Sequence, residues 1–139
     1  MWDDALAIAA QDHCNDAGSN GIESGTGSDG SSVNQRIARY GRTGGFEAEN
    51  INLGNMKPID IVMSLFIDDD FAGREHRKAL LSLDYQVTGI AFCPHNSSSK
   101  RMVDIVYADS MAANALGRSR ISELERERGG ILRRALMNK

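Results

Sequence analysis

The sequence predicts an α+β domain in which helices pack on a small antiparallel sheet and a helical tail follows. Two β-type runs, Tyr85 to Cys93 and Met102 to Ala108, are rich in Val, Ile, Tyr and Phe. The turn-forming PHNSSSK separates them, so they should pair as a hairpin. Apolar residues recur at helical spacing ahead of them, in residues 2–16 and again after Pro58. From Ser110 the chain becomes alanine-rich and then strongly charged, a pattern suited to an exposed helix. At 139 residues the chain suits one domain, long enough to bury a core without disulfides or metal.

Taken in order, Trp2, Leu6, Ala9, Ala10 and His13 lie on one side of the first helix, with Asp3 and Asp4 in the turn where they complement the helix dipole. Gly18 to Ser32, GSNGIESGTGSDGSS, should be a long loop, because backbone entropy opposes regular structure there. It does not match a calcium loop: glycine stands at the third ligand position and where the bidentate Glu belongs. Ser31 or Ser32 can cap a short helix through Val33, Ile37 and Tyr40, which Gly41 ends; Arg36 and Arg39 are expected on its outer side. Asp29 would tie the loop to one of these arginines.

Phe46 to Gly54 reads as an irregular segment delivering Glu49 and Asn50. Pro58 opens the next helix. Its stripe of Ile59, Val62, Met63 and Phe66, widened by Ile61 and Leu65, predicts a core helix covered on most sides. REHRKALLSL should be a short helix packing through Ala79, Leu80 and Leu83, and Gly89 allows a close approach to the first β run. In the tail, Glu123/Arg126 and Glu125/Arg128 support a helix that Gly129-Gly130 should break. The following ILRRALMNK is then a separate basic amphipathic helix.

A net charge of −3 gives no basic footprint, so nucleic acid is not an expected partner. No apolar run approaches the roughly 20 residues of a transmembrane helix. The N-terminus carries acids where a secretion signal needs positive charge, which favours a cytoplasmic protein over a secreted one whose leader has been removed. Cys14 and Cys93 show no zinc spacing and allow at most one disulfide; two buried thiols is the simpler reading. Asn96-Ser97-Ser98 is a glycosylation triplet of a kind that arises often by chance.

The motifs HC in the first helix, GSDGSS, RIARYG, AENINLG, DIVMSLFIDD, REHRKALL and VTGIAF follow one another in an order that resembles the CAP superfamily, also called SCP domains. That superfamily includes cysteine-rich secretory proteins, antigen-five venom proteins and plant pathogenesis-related proteins. The likeness is to its bacterial and protist branch, over about residues 5 to 110, and it divides the chain into an SCP-like domain, 1–110, and a helical extension, 111–139. It implies an α-β-α sandwich with a cleft lined by two histidines and two acids, a tetrad able to hold a divalent ion. By position Glu49 is the first acid, Asp68 the second with Asp69 a close substitute, and His76 the second histidine; Gly25 stands where the first histidine belongs.

With one imidazole gone, a mostly carboxylate site should not grip zinc tightly, so no metal or other cofactor is expected. If any ion binds, Glu49, Asp68 and His76 are its expected ligands. His13 is expected to be packed or solvent-facing. Glu49 with His76 would serve as an acid–base pair in an intact cleft and as a simple hydrogen-bonded tie in a vestigial one.

The favoured function is a non-enzymatic domain that joins a larger protein assembly, cytoskeletal or ciliary in a flagellated protist. It would dock other proteins through Ile131, Leu132, Arg133, Arg134 and Leu136 of the tail. The alternative is a secreted CAP protein that binds a small apolar ligand such as a sterol or lipid, or hydrolyses a substrate in the cleft. A Cys14–Cys93 bridge would favour the alternative.

Overall fold

A computed structural model describes residues 1–55, 57–70 and 72–137, with side chains up to residue 131. In chain order the elements are α1 (Asp4–Asn20), α2 (Val33–Tyr40), β1 (Gly41–Arg42), β2 (Glu47–Leu53), α3 (Pro58–Ile67), α4 (Glu75–Leu81), β3 (Val87–Pro94), β4 (Arg101–Ala108), β5 (Ala112–Ala113) and α5 (Ala115–Met137). The main sheet has the order β2-β4-β3, antiparallel throughout, and β1 pairs with β5 in a two-residue ladder.

Strand β4 is the centre. Its successive side chains point to opposite faces, and both sets are buried. Met102, Val106 and Ala108 join the core beneath α1 and α2, while Val103, Ile105 and Tyr107 meet Ile61 and Leu65 of α3 and, from α4, Ala79 and Leu80. The result is the expected α-β-α sandwich with its hairpin, β3-β4. Residues 46–54, expected to be irregular, are mostly the regular strand β2, paired with β4 from Glu47↔Ala108 to Leu53↔Met102. Strand β2 lacks the usual apolar alternation because its inward Asn50 and Asn52 meet polar partners.

The first helix begins at Asp3, whose carboxylate accepts from the N–H groups of Ala5 and Leu6, and ends at Gly21 in the left-handed conformation. Ala5, Ala9, Ala10 and Ala17 let it lie close on the sheet. At the nearest point a Cβ on Gly89 would strike the backbone of Leu6 and Ala7, which explains the glycine the sequence placed there. The same proximity joins Cys14 of α1 to Cys93 of β3 in a disulfide, with Cα atoms 5.9 Å apart. The expectation of two buried thiols is therefore corrected. Geometry of this kind, which brings residues 79 apart in sequence together, is invisible in their spacing.

Helix α2 carries a capping box between Ser32 and Gln35 and turns Ile37 and Tyr40 inward. Arg39 stays outside and pairs with Asp29 at 2.7 Å. Arg36 does not: it is 2% exposed and reaches into the domain, correcting the expectation of an outward side chain.

The largest departure concerns α3. Only Ile61 and Leu65 are buried, whereas Ile59, Val62, Met63, Phe66 and Ile67 are 41 to 63% exposed. The helix rests on the sheet by one narrow stripe, so a sequence that is apolar nearly all round does not make it a covered core helix. On α4, Ala79 and Leu80 pack as expected, but Leu83, just beyond its end, is exposed.

Helix α5 runs without interruption through Gly129-Gly130, where a break was expected. Its first half docks: Ile121 and Leu124 pack against the α1 core, and Arg128 approaches Asp4 at 3.5 Å. Glu123 pairs with Arg120 at 2.9 Å instead of with Arg126. Two glycines cost about 1 kcal/mol each within a helix, a loss offset by this packing.

Candidate functional site

On the α3 side a cleft of about 620 Å³ opens, lined by Gly25, Glu49, Asn52, Ser64, Asp68 and His76 among others. The structure thus brings the three residues singled out from sequence, Glu49, Asp68 and His76, to one hollow, with Gly25 at its edge. Each is held by a specific local device.

Asp68 is the C-cap of α3 and adopts a left-handed backbone conformation, φ 51° and ψ 40°, which costs a non-glycine residue about 1–2 kcal/mol. What holds it there is its carboxylate, 4% exposed. The carboxylate accepts from His76 Nδ1 at 2.8 Å and from the Arg77 N–H at 3.1 Å. Burial alone would raise the Asp68 carboxyl, but the bonds from His76 and Arg77 outweigh it and hold it below the usual carboxylate range. Asn50 fixes the other side of the histidine by donating to the His76 carbonyl at 3.0 Å. Asp69, the close substitute, points outward and pairs with Arg74 at 2.9 Å.

Glu49 stands on β2 opposite Val106. Its carboxylate receives Arg36 Nη2 at 2.5 Å, with both side chains nearly out of solvent. The same guanidinium donates to the carbonyls of Gly25 and Ser31 at 3.0 and 2.8 Å, clamping the glycine-rich loop to the sheet. A Cβ built on Gly25 would lie 2.6 Å from Glu49 Oε2, so a side chain there would require the Glu49 carboxylate to move. The carboxylate is thus bound to Arg36 and the carboxylate on the His76 ring is Asp68, so two different acids take the roles that the sequence reading gave to Glu49 with His76.

Behind Glu49 lies a second group. His13 and Asp104 are both completely buried, and one ligand atom from each of His13, Glu49 and Asp104 falls within 4.8 Å of the other two. His13 Nε2 faces the Ser24 carbonyl at 3.0 Å, which assigns the ring proton to Nε2. Burial is the main cause that lowers the His13 pKa, and Arg36 adds to it. Burial, then the negative charge of Glu49, pushes Asp104 well above the ordinary carboxylate range. The sequence reading left His13 as a packed or surface histidine and missed Asp104. The available signal was a lone acid inside MVDIVYA, a run apolar enough to be covered on both faces.

Of the expected docking residues, Ile131 is exposed on α5. Leu132, Arg133, Arg134 and Leu136 lie outside the residues whose side chains are described. Among the described residues no helix is long and apolar enough to cross a membrane.

Comparison with solved structures gives the same fold. An outer surface protein from Borrelia burgdorferi superposes with a TM-score of 0.65 at 18% identity, covering 78% of this chain and 75% of that one. An extracellular protein containing an SCP domain from Bacillus anthracis gives a TM-score of 0.58 at 17% identity over 78% of this chain and 33% of its own. This chain therefore spans about a third of the Bacillus protein. A search of curated protein sequences found no match. Residues 1–110 match the cysteine-rich secretory protein family, CAP, and with the sandwich and the cleft in place the chain is a member of that family.

Proposed function

We propose that this CAP domain is a non-enzymatic binding or structural component of a larger protein assembly. The observation that carries the reading is the pairing within the cleft: Arg36 occupies Glu49, Asp68 binds His76, and Gly25 leaves no second imidazole. A zinc centre needs ligands converging on one point. Here the carboxylates serve instead as struts between loop, strand and helix. The exposed side of α3, together with Ile131 on α5, supplies surface for partners.

The cleft reading is tested by zinc titration of wild type and His76→Ala. Affinity weaker than about 1 mM at the cleft, or about −4 kcal/mol, is expected; micromolar affinity that vanishes in His76→Ala overturns it. For the assembly, a chain ending at residue 129 keeps Ile121 and Leu124 on the core and should fold as a monomer that no longer joins its native complex. Continued incorporation of that chain refutes the role assigned to Ile131, Leu132, Arg133, Arg134 and Leu136.

One observation favours the exported alternative. The Cys14–Cys93 bond suits an oxidising compartment, and the proteins of similar fold are an outer surface and an extracellular protein. Export is compatible with a binding role, including a small apolar ligand against the Ile51, Leu53 and Leu65 wall of the cleft. Mass measurement of native protein with and without reductant separates the compartments: a bonded pair favours export and two free thiols favour the cytoplasm.

A further inference from the structure

We propose that His13, Glu49 and Asp104 form a buried structural site for a divalent transition ion of the Zn²⁺ type, separate from the Asp68–His76 pair. The argument starts from donors and acceptors. With its proton on Nε2 and given to the Ser24 carbonyl, His13 turns the bare lone pair of Nδ1 into the interior. Among the described residues His13 Nδ1 and both oxygens of Asp104 are buried without a hydrogen-bond partner. With Asp104 ionised, acceptors would face acceptors; without an ion it therefore keeps its proton, and His13 Nδ1 stays unpaired at a cost of about 1–3 kcal/mol. Arg36 answers one oxygen of Glu49 and no more of the group. A cation shared by the three satisfies all of them at once.

The chemistry of the set is selective. A neutral imidazole whose other N–H is held by a backbone carbonyl is the usual arrangement of a metal-bound histidine, because the carbonyl fixes the tautomer and ring orientation. One imidazole with two carboxylates suits zinc over magnesium or calcium, which prefer all-oxygen shells. Ligands at about 2.1 Å from zinc lie about 3.4 Å from one another, so the present spacing, up to 4.8 Å, must close by as much as about 1.4 Å. Two carboxylates match the charge of Zn²⁺, and Arg36, paired with Glu49, leaves the loaded site with a net charge of +1. Glu49 borders the cleft and provides the route of entry and a place for a coordinated water. An ion here ties α1, β2 and β4 together; it is not poised for catalysis.

The site is tested on the full, disulfide-bonded chain after treatment with chelator, by calorimetric titration with Zn²⁺ and by the visible spectrum of Co²⁺. One ion should bind at micromolar affinity or better. That affinity should persist in His76→Ala and fall at least a hundredfold in His13→Gln and Asp104→Asn. Because either core variant can fail to fold, the wild type carries its own test: zinc should raise Tm, while equal Mg²⁺ should not. No zinc binding by wild type overturns the proposal, as expected if a buried water fills the gap. Binding lost in His76→Ala but kept in His13→Gln also overturns it, and that outcome would refute the cleft reading as well. Zinc binding that needs His13 and not His76 leaves the cleft reading intact.

Discussion

The two faces of the central sheet are built to different standards. Beneath α1 the interface is sealed: Leu6 and Cys14 are fully buried, Gly89 admits helix backbone against strand, and a disulfide joins the two layers. Beneath α3 and α4 the core is a thin patch of five buried residues, with five apolar side chains of α3 left in solvent and Phe92, in register with Val103, half exposed at the β3 edge. The same strand, β4, serves both faces, so its sequence cannot account for the contrast. The difference lies in what is laid upon it, a 17-residue helix of small side chains on one side and two short helices on the other. Burial therefore concentrates on the α1 face, and the other face is left with apolar side chains in solvent.

Removing the disulfide should have the largest effect. The chain-entropy relation for a loop closed over 79 residues gives about 4.5 kcal/mol. Cys14→Ala with Cys93→Ala should lower the urea midpoint accordingly. A loss under about 1 kcal/mol would mean that α1 is held by packing alone and would narrow the contrast between the faces. Next comes Leu6→Ala, which removes a side chain with no exposure and should cost about 2–5 kcal/mol.

The polar group on the sealed face predicts a pH dependence. Asp104 binds its proton more tightly folded than unfolded. Its contribution to stability is therefore complete below the ordinary carboxylate range and is lost as pH rises through its own raised value. Chelator-treated wild type should lose up to about 1.4 kcal/mol per pH unit across that window, and Asp104→Asn, which mimics the neutral form, should not. Asp68 has the opposite sign: its lowered pKa contributes stability above the ordinary range that disappears on acidification through the folded value. Denaturant melts from pH 3 to 8 would separate them, and a wild-type slope unchanged in Asp104→Asn would sink the assignment of the buried proton.

How far the sequence reaches depends on whether a feature is local. Ser32 as a cap, Pro58 as a first-turn residue, the β3–β4 hairpin and the tight contact at Gly89 follow from residue type and neighbours, and motif order supplied the sandwich and the cleft positions Glu49, Asp68 and His76. What failed depended on distant partners. Arg36 looked like a surface cation until the loop from Gly25 to Ser31 folded over it. Gly129-Gly130 looked like a break because the support of Ile121 and Leu124 on the α1 core has no local signature. Asp104 was hidden by an apolar run, and α3 misled because a helix apolar all round reads the same whether its own domain or a partner covers it.

That last ambiguity gives the smallest effect and the sharpest test of the contrast. Val62→Asp, on the outer side of α3, should change unfolding free energy by no more than about 0.5 kcal/mol, since a solvent-facing substitution removes no buried contact. The matched change on the other face, Ile8→Asp, places an unpaired carboxyl group in the core and should cost about 2–3 kcal/mol. Melts of Val62→Asp at two protein concentrations tenfold apart complete the comparison. A cost above about 2 kcal/mol that grows with concentration would mean that the α3 face is already covered by a second copy of the chain. Unchanged stability at both concentrations, together with lost incorporation into the native complex, would make this face the recognition surface, with the α1 side its scaffold.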